Sequence, residues 1–530
     1  MSNWFKDIVL NPVGDLIDGF GWLHGKASAL AINAACGTTR NRPHPWSTVQ
    51  DDYISWDGLT DRTYLARHLP AADTPIQPDV HAVSALFARP AGKQRLSTKS
   101  TCLLPAFAQY LTDGFIRTIP YNLRKTTTNH DIDLCQLYGR TRKQTLALRL
   151  KAEDPGRRGR LKSELDEKGE EYPLRLYPNG ARTADPQFED LDTPLFMPRQ
   201  PERTPTEDWP PPHVKLGTIF AVGGDRVNST PFTAMMNTLF LREHNRLAGV
   251  LERENPGWDD ERVFQIARNI NIAQFIKIVV EQYINHITPL PFSLTFDPEV
   301  VWTANWNRPN WITVEFSLLY RWHSLMPDAI RWPTGDVPLG QFGLDNTPLL
   351  GVGLEAAFAA AAAQPAGELG ALNTAEPLMQ VEWLAVDQAR KNRLDTYNNY
   401  RRAFGLDPAE RFEDISGSPA VQGMLERLYQ HPENVEFYPG LFCEDRVTDA
   451  VLPQLLMTMV AVDAFSQALT NPLFSEHVWK EDTTFTKYGR DLVRETHKLG
   501  DILARNVERQ AGQPAAFIEM TQKNWRYGDG

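Results

Sequence analysis

One short segment, FSLLYRWHSLM at 316–326, holds two side chains whose chemistry could work together. Tyr320 and His323 are three residues apart, so within a helix both would lie on one face. A neutral imidazole can ligate a haem iron from the proximal side, and an oxidised haem could take an electron from a phenol beside it. The alternative is a core histidine bonded to a backbone carbonyl next to a core tyrosine. Spacing alone favours that alternative, because periodicity does not identify cofactors.

The elements that must hold these two side chains are predicted to be helices. Both residues lie in a predicted helix over 311–326, and a second apolar helix is predicted within 100–117. Two long helices come between them in the chain, the first stopping at Pro256 and the second opened by acidic residues. Little strand signal is present, so the predicted fold class is mainly α. Further helices are predicted at 376–403, 418–429, 448–469 and 485–510.

The chain is predicted to contain one large catalytic domain at 96–510, between an N-terminal segment 1–95 and a C-terminal tail 511–530. Residues 150–215 combine a charged stretch with a proline-dense one, so they are predicted to be a surface excursion of that domain. The first twenty residues mix aromatic and aliphatic side chains with charges. They predict a first helix packed on the core, with a helix lying on a membrane surface as the alternative.

Composition excludes several function classes. The 530 residues carry a net charge of −11, which argues against a nucleic-acid footprint. No GxGxxG, HExxH or GxSxG motif supports nucleotide or hydrolase chemistry. The 4 cysteines are too scattered for a disulfide framework and indicate reduced thiols. No secretory signal and no membrane-spanning run is expected, so we predict a cytoplasmic protein, with peripheral membrane contact as the alternative.

The wider sequence resembles the cyclooxygenase–peroxidase superfamily, which groups animal-type haem peroxidases with fatty-acid dioxygenases. Eight blocks match in the family order and cover roughly residues 100–480. The segment Tyr320-Arg-Trp-His323 is especially similar to the bacterial and fungal fatty-acid dioxygenases and their cyclooxygenase relatives. The blocks are FAQYLTDGFIRT, NHDIDLCQLYG, FAVGGDRVNSTPF, LREHNRLAGVLERENPGW, FSLLYRWHSLMPD, YNNYRRAFGL, VEFYPGLF and NPLFSEHVW.

This resemblance implies a single large all-helical domain that binds haem b between the 100–118 and 311–326 helices. It implies that His323 is the proximal ligand of the haem iron and that Tyr320 forms the radical that abstracts a substrate hydrogen. Trp322 beside the ligand and Thr112 on the distal helix are implied to contact the cofactor.

On the distal side, the resemblance assigns Gln109, Asp113 and Arg226 to the catalytic group. Asp113 stands where the family has its distal histidine, the acid/base that cleaves the peroxide bond. An aspartate is ionised at pH 7 unless burial raises its pKa, so peroxidase activity depends on the surroundings of Asp113. The alternative is that Asp113 is an ordinary helix-face residue and another group, such as His130, serves distally. Arg226 could polarise bound peroxide or oxygen, or it could be a loop arginine paired with Asp225.

The family's covalent haem links require acidic or methionine side chains. The corresponding positions here are Thr112, Ser229 and Thr230, which form neither ester nor sulfonium links. The resemblance therefore implies non-covalent haem. Gly114 replaces the acidic residue of the family's calcium site, so calcium is not predicted.

The leading hypothesis is a haem-dependent dioxygenase that takes a fatty acid and O2 as substrates and gives a hydroperoxide. The neighbours of the site in sequence could line an apolar channel, although core packing is the simpler role for any one of them. The alternatives are a peroxidase that oxidises small reductants and a non-catalytic haem-binding homologue. Oligomeric state is not indicated. The candidate channel residues are Phe316, Leu318, Leu319, Trp322 and Leu325.

Overall fold

The computed structural model confirms the mainly α class. It describes residues 21–37, 55–152, 154–193, 213–507 and 515–526, with the single residues 19 and 53. About 51% of the chain is helical. The first eighteen residues, predicted as a core or membrane-surface helix, lie outside the described residues, as do the proline-dense 194–212 and part of the predicted tail.

The elements follow one another in this order. The α-helices are α1 Gly21–Gly37, α2 Trp56–Thr60, α3 Val80–Ser84, α4 Leu103–Asp113, α5 Cys135–Tyr138, α6 Arg142–Leu148, α7 Pro231–Glu254, α8 Asp260–Ile278, α9 Asn285–Ile287, α10 Glu299–Trp302, α11 Val314–Leu319, α12 Thr347–Val352, α13 Leu354–Ala362, α14 Met379–Lys391, α15 Tyr397–Ala403, α16 Pro419–Tyr429, α17 Phe437–Cys443, α18 Gln454–Leu469, α19 Thr486–Glu495 and α20 Leu499–Asn506. The strands are β1 Leu96–Thr101, β2 Thr118–Ile119, β3 Asn122–Thr126, β4 Ser163–Leu165, β5 Glu171–Pro173, β6 Ala329–Trp332, β7 Gly335–Pro338 and β8 Pro365–Gly367.

The strands form small antiparallel pairs rather than one sheet. Within the described ranges the pairs are β1–β8, β2–β3, β4–β5 and β6–β7. The β1–β8 pair joins residues far apart in sequence and stands next to α4, because β1 runs into that helix. The other pairs are local hairpins on the helical body.

Two long helices form the centre of the fold and match their sequence predictions. Helix α7 starts with a capping box between Thr230 and Thr233 and ends two residues before Pro256. Helix α8 is capped by Asp259, whose side chain accepts the Arg262 backbone N–H. It continues through a π-helical turn, Val279–Ile284, into α9. This continuous rod is long and apolar enough to cross a membrane, but 83% of its most apolar window is buried inside the protein.

The predicted helix over 311–326 is wrong in its second half. Helix α11 ends at Leu319, and the chain bends through Tyr320 into a 3₁₀ turn over His323–Leu325. Trp322 leaves helical geometry at φ −90° and ψ 47°, and its indole N–H donates to the Leu319 carbonyl at 2.6 Å. That bond satisfies a carbonyl at the helix end, where backbone acceptors lack partners. Tyr320 and His323 are therefore not on one helical face.

Two other predicted helices are each divided in two. The predicted 376–403 helix is α14 and α15, because Thr396 caps a new helix by accepting the Asn399 N–H. The predicted 485–510 helix is α19 and α20. Its break follows Thr496, whose hydroxyl donates to the Leu492 carbonyl instead of continuing the helix.

The region 150–215 is not only a surface excursion. Its described part forms the β4–β5 hairpin and buries several large apolar side chains, five of them to 3% exposure or less. Apolar residues interspersed among the charges anchor the segment, since each one removes apolar area from water. The buried side chains are Leu161, Tyr172, Leu176, Tyr177 and Phe188.

Candidate functional site

His323 opens the 3₁₀ turn after α11 and points one ring nitrogen at a buried carboxylate. Its Nδ1 lies 3.0 Å from Oε1 of Glu382 on α14, and Glu382 is 2% exposed. A carboxylate accepts, so the imidazole donates its Nδ1–H and keeps a lone pair on Nε2. Among the described residues, Nε2 has no hydrogen-bond partner. This is the tautomer that a metal ligand needs.

Three buried histidines of the same chain differ from His323 in how their ring nitrogens are hydrogen-bonded. His130 accepts the Ile312 N–H and donates to the Arg62 carbonyl. His244 bonds Tyr138 and the Gly159 carbonyl, and His286 bonds Ser100 and Thr521. Each of these rings uses both nitrogens within the protein, as a structural histidine should. His323 uses one nitrogen, and 17% of its side chain is accessible.

The structure therefore gives His130 a role other than distal catalysis. Both of its nitrogens are occupied by backbone groups, and its ring stacks on Trp311 with centroids 5.4 Å apart. Burial lowers its pKa to about 4. His130 stays neutral at pH 7 and ties residue 62 to the segment before α11.

Tyr320 lies among aromatic rings. Its ring centroid is 4.7 Å from that of Phe316 and 5.3 Å from that of Trp322, and Trp322 in turn stacks against Tyr283 at 6.2 Å. Tyr283 comes from the π-helical turn of the central rod, a feature frequent at functional sites. Trp322 thus packs against both phenol rings and helps to fix the plane of the Tyr320 ring.

Burial raises the pKa of Tyr320, and the negative charge of Asp463 raises it further, while the Tyr283 hydroxyl opposes the rise. The Tyr283 hydroxyl acts on Tyr320 as a long hydrogen-bond partner, since among the described residues no partner of that hydroxyl meets normal hydrogen-bond geometry. Asp463 is itself paired with the buried His68, whose Nε2 is 3.3 Å from the carboxylate. Tyr320 is therefore a neutral phenol at any ordinary pH.

The distal candidates come from α4 and from the 3₁₀ turn Asp225–Ser229. Gln109 donates to the Ser229 hydroxyl at 2.7 Å, which joins these two elements. Thr112 donates to the Gln109 backbone carbonyl at 3.2 Å. The structure brings Gln109, Thr112, Asp113 and Arg226 together on this side.

Asp113 at the end of α4 is buried, with one oxygen left without a partner. Its Oδ2 makes no hydrogen bond among the described residues. Desolvation raises its pKa from 3.8 to about 7, against the opposing charges of Arg226 and Arg117. The carboxyl can therefore hold or release a proton near neutral pH, which is what acid/base work requires. The burial that would raise the pKa of Asp113 is therefore present, and its catalytic role stays a prediction.

Arg226 lies beside Asp113 on the distal side. Its Nη1 donates to the Ile116 carbonyl at 2.8 Å and lies 3.8 Å from Asp113 Oδ1. Desolvation and the neighbouring Arg117 lower its pKa to about 10, yet 27% of its side chain is accessible. Asp225 pairs with Arg117, not with Arg226.

The distal and proximal sides face each other. Phe115, just beyond α4, packs on Phe316 of α11 with ring centroids 5.0 Å apart. Arg321 lies between the sides, since the charges of both Glu382 and Asp113 act on its pKa, which desolvation lowers. Leu318, Leu319 and Leu325, proposed as channel residues, are fully buried in the core.

Sequence reasoning missed Glu382, Tyr283 and Arg321. Glu382 is 59 residues from His323 in the chain, and no local pattern links a helical glutamate to a distant histidine. Tyr283 lies in the second long helix, and no local pattern in that helix marks it as a site residue. Arg321 stands inside the YRWH segment and is the one that the segment itself could have suggested.

Comparison with known proteins identifies the family. The family model described as animal haem peroxidase matches residues 122–517. Prostaglandin G/H synthase 2 of Oryctolagus cuniculus is 30% identical over 481 residues, covering 88% of this chain and 74% of the relative. Prostaglandin G/H synthase 1 of Rattus norvegicus is 30% identical over 488 residues, with the same two shares.

Solved structures agree on the fold. Fatty acid alpha-dioxygenase of Oryza sativa superposes with a TM-score of 0.66 at 16% identity, covering 95% of this chain and 96% of that one. Peroxidase A of Dictyostelium discoideum gives 0.65 at 19% identity, covering 86% and 96%. The chain belongs to the animal haem peroxidase family and is an oxidoreductase of that family.

Membership implies haem, and the residues present fit it. His323 offers a free Nε2 with its other nitrogen held by a carboxylate, the arrangement that metal-bound histidines have. The side chains of His323 and Arg226 keep 17% and 27% of their surface accessible, so both can contact a bound group.

Proposed function

We propose that this family member is a haem-dependent dioxygenase that adds O2 to a fatty acid and gives a hydroperoxide. The observation that carries the proposal is Tyr320, a partly buried phenol three residues before the candidate ligand His323 and packed against Phe316 and Trp322. The relatives named above as prostaglandin synthases and alpha-dioxygenase support the substrate class.

The proposed chemistry assigns one role to each residue. Haem held by His323 supplies a one-electron oxidant. Tyr320 gives up an electron and its hydroxyl proton and becomes a tyrosyl radical. The phenoxyl oxygen takes a hydrogen atom from a C–H bond of the acyl chain. O2 adds to the carbon radical, and the resulting peroxyl takes the hydrogen back from Tyr320, so the product is a hydroperoxide and the radical is regenerated.

The surroundings of Tyr320 suit this role. Aromatic packing holds the ring in one orientation and keeps water from the radical. The charged group that acts on Tyr320 is Asp463, which is negative. A hydrocarbon segment suits that position better than the acyl carboxylate, which would meet a like charge.

The test compares two tyrosine variants of the haem-loaded protein. Tyr320→Phe should retain haem but lose lipid-dependent O2 uptake and the tyrosyl signal in electron paramagnetic resonance. Tyr172→Phe is the matched control, because Tyr172 is an aromatic-packed tyrosine of the core whose hydroxyl has no partner among the described residues. It stacks on Phe220, in the β5 region. Unchanged uptake in Tyr320→Phe would refute the radical role.

Non-covalent haem b is part of the proposal. The support is that Thr112, Ser229 and Thr230 carry hydroxyls, and all three take part in hydrogen bonds within the distal elements. Extraction with acidified organic solvent should release the haem and leave the polypeptide without absorbance at the haem wavelengths. Haem that stays with the polypeptide would contradict this.

A second candidate function is peroxide reduction, and Asp113 favours it. A carboxyl with a pKa of about 7 can accept the peroxide proton and return it to the leaving oxygen. Arg226 is 3.8 Å from the same carboxyl and can polarise the bound oxygen. Dye oxidation driven by peroxide, absent in Asp113→Asn, would show this activity; equal rates in both proteins would exclude Asp113 as its acid/base.

A further inference from the structure

The Glu382 carboxylate behind His323 and its three hydrogen-bond donors come from four separate segments of the chain. Glu382 of α14 receives the His323 Nδ1–H at 3.0 Å and the Thr374 hydroxyl at 2.8 Å on one oxygen. Its other oxygen receives the Tyr438 hydroxyl of α17 at 2.6 Å. Three donors to one carboxylate satisfy it in the interior, where an unpaired charge would be costly.

The positive charge of Arg321 also acts on this group. Arg321 interacts electrostatically with Glu382 and Tyr438, and it is held by the Ser317 carbonyl at 3.0 Å and by Gln388 at 3.3 Å. A guanidinium, two hydroxyls and the imidazole thus surround one carboxylate.

A purely structural contact does not explain why the His323 ring bonds a carboxylate through one nitrogen. The buried histidines His130, His244 and His286 bond protein groups through both nitrogens. Within the described part of the chain, His323 bonds the protein only through Nδ1, and the partner is a carboxylate. The protein therefore fixes one nitrogen and leaves the other for a ligand.

We propose that Glu382 is the positioning residue that makes His323 a strong, oriented donor to the haem iron. The inference rests on the proposed ligation of haem by His323 and goes beyond it. By accepting the Nδ1–H, Glu382 fixes the tautomer and the ring plane. Its negative charge, passed through the hydrogen bond, increases electron donation from Nε2 and so favours the oxidised iron. Tyr438 moderates the effect, because its hydroxyl withdraws charge from the same carboxylate.

The test is spectroscopic and uses the haem-reconstituted full chain. Glu382→Gln keeps an oxygen acceptor for His323 and Thr374 but removes the charge. We expect the ferric/ferrous midpoint potential to rise and the iron–histidine stretching frequency of the ferrous protein to fall. Glu382→Asp, which restores the charge, should move both values back toward those of the parent protein.

The Tyr438→Phe variant should give a result that a purely structural role of Glu382 would not produce. Removing its hydroxyl leaves Glu382 a stronger acceptor, so potential and frequency should shift in the opposite direction to Glu382→Gln. Glu436→Gln is the matched control: Glu436 is a buried glutamate that pairs with Arg390 and accepts from Tyr429, and neither value should change.

Three outcomes would overturn the inference. Parent-like values in haem-loaded Glu382→Gln, or shifts of the same sign in Glu382→Gln and Tyr438→Phe, would reduce Glu382 to a packing contact. Absence of any iron–histidine band in the parent protein would overturn ligation by His323 as well, which separates the two failures. If Glu382→Gln does not hold haem, the sign of the shift in midpoint potential and stretching frequency in Tyr438→Phe decides whether Glu382 is a positioning residue or a packing contact.

Discussion

Replacing Asp113 with asparagine should change how stability depends on pH. The carboxyl has its ordinary value of 3.8 in the unfolded chain, whereas desolvation raises its pKa to about 7 in the folded protein. Between these values the folded protein binds a proton that the unfolded chain does not, so the free energy of unfolding falls as pH rises. Since one pKa unit corresponds to about 1.4 kcal/mol, the whole fall is about 4 kcal/mol.

The assay is urea unfolding of parent and Asp113→Asn proteins at pH 5 and pH 8. Of the total fall, about 2.5 kcal/mol lies between these two conditions by the same linkage. Asparagine has no proton to lose, so the free energy of unfolding of Asp113→Asn should rise by about that amount relative to that of the parent between pH 5 and pH 8. The variant keeps the shape of the protonated side chain, which limits any packing change.

Asp185→Asn is the control, because its effect on the pH dependence of stability should have the opposite sign. Hydrogen bonds from Gln187 lower the pKa of the exposed Asp185, so this carboxylate adds a small stability that is lost as pH falls through its folded pKa. Its replacement should therefore weaken the protein at neutral pH and not strengthen it. An identical pH dependence for parent and Asp113→Asn would refute the reasoning that burial holds this carboxyl partly protonated near pH 7.

Two further substitutions test the proximal side. His323→Ala should lower haem affinity by at least about tenfold and displace the Soret band, and an unchanged spectrum would refute the ligand assignment. Gly367→Ala would place a Cβ 2.1 Å from the Ser324 carbonyl in the turn that carries His323, so it should cost about 1–3 kcal/mol of unfolding free energy and weaken haem binding. Gly257→Ala, with nothing within 4 Å, should be close to neutral; equal losses in both glycine variants would contradict the packing argument.

The central helices were predictable because their signals are local. Apolar spacing, the Thr230 capping box and the stop before Pro256 define α7 from sequence alone. The mainly α class follows from such stretches, and the eight motif blocks identified the family. These features depend on neighbours within a few residues.

The site was predictable only in part, because its details depend on tertiary contacts. The end of α11 at Leu319 depends on the Trp322 indole turning back onto a carbonyl, which helical periodicity does not show. The pKa of Asp113 depends on desolvation and on Arg226 and Arg117, which come from other segments. Glu382 reaches His323 from a different helix. The proposed roles of Tyr320 and His323 stay predictions.

The most direct test is the ratio of O2 consumed to lipid hydroperoxide formed. Haem-reconstituted protein would be given saturated and unsaturated fatty acids and started with a trace of hydroperoxide. The proposal predicts uptake with one acyl class, in a ratio of about one to one, because each cycle adds one O2 and regenerates the Tyr320 radical. Full haem loading with no uptake for any fatty acid, or peroxide consumption with dye oxidation only, would contradict the dioxygenase function.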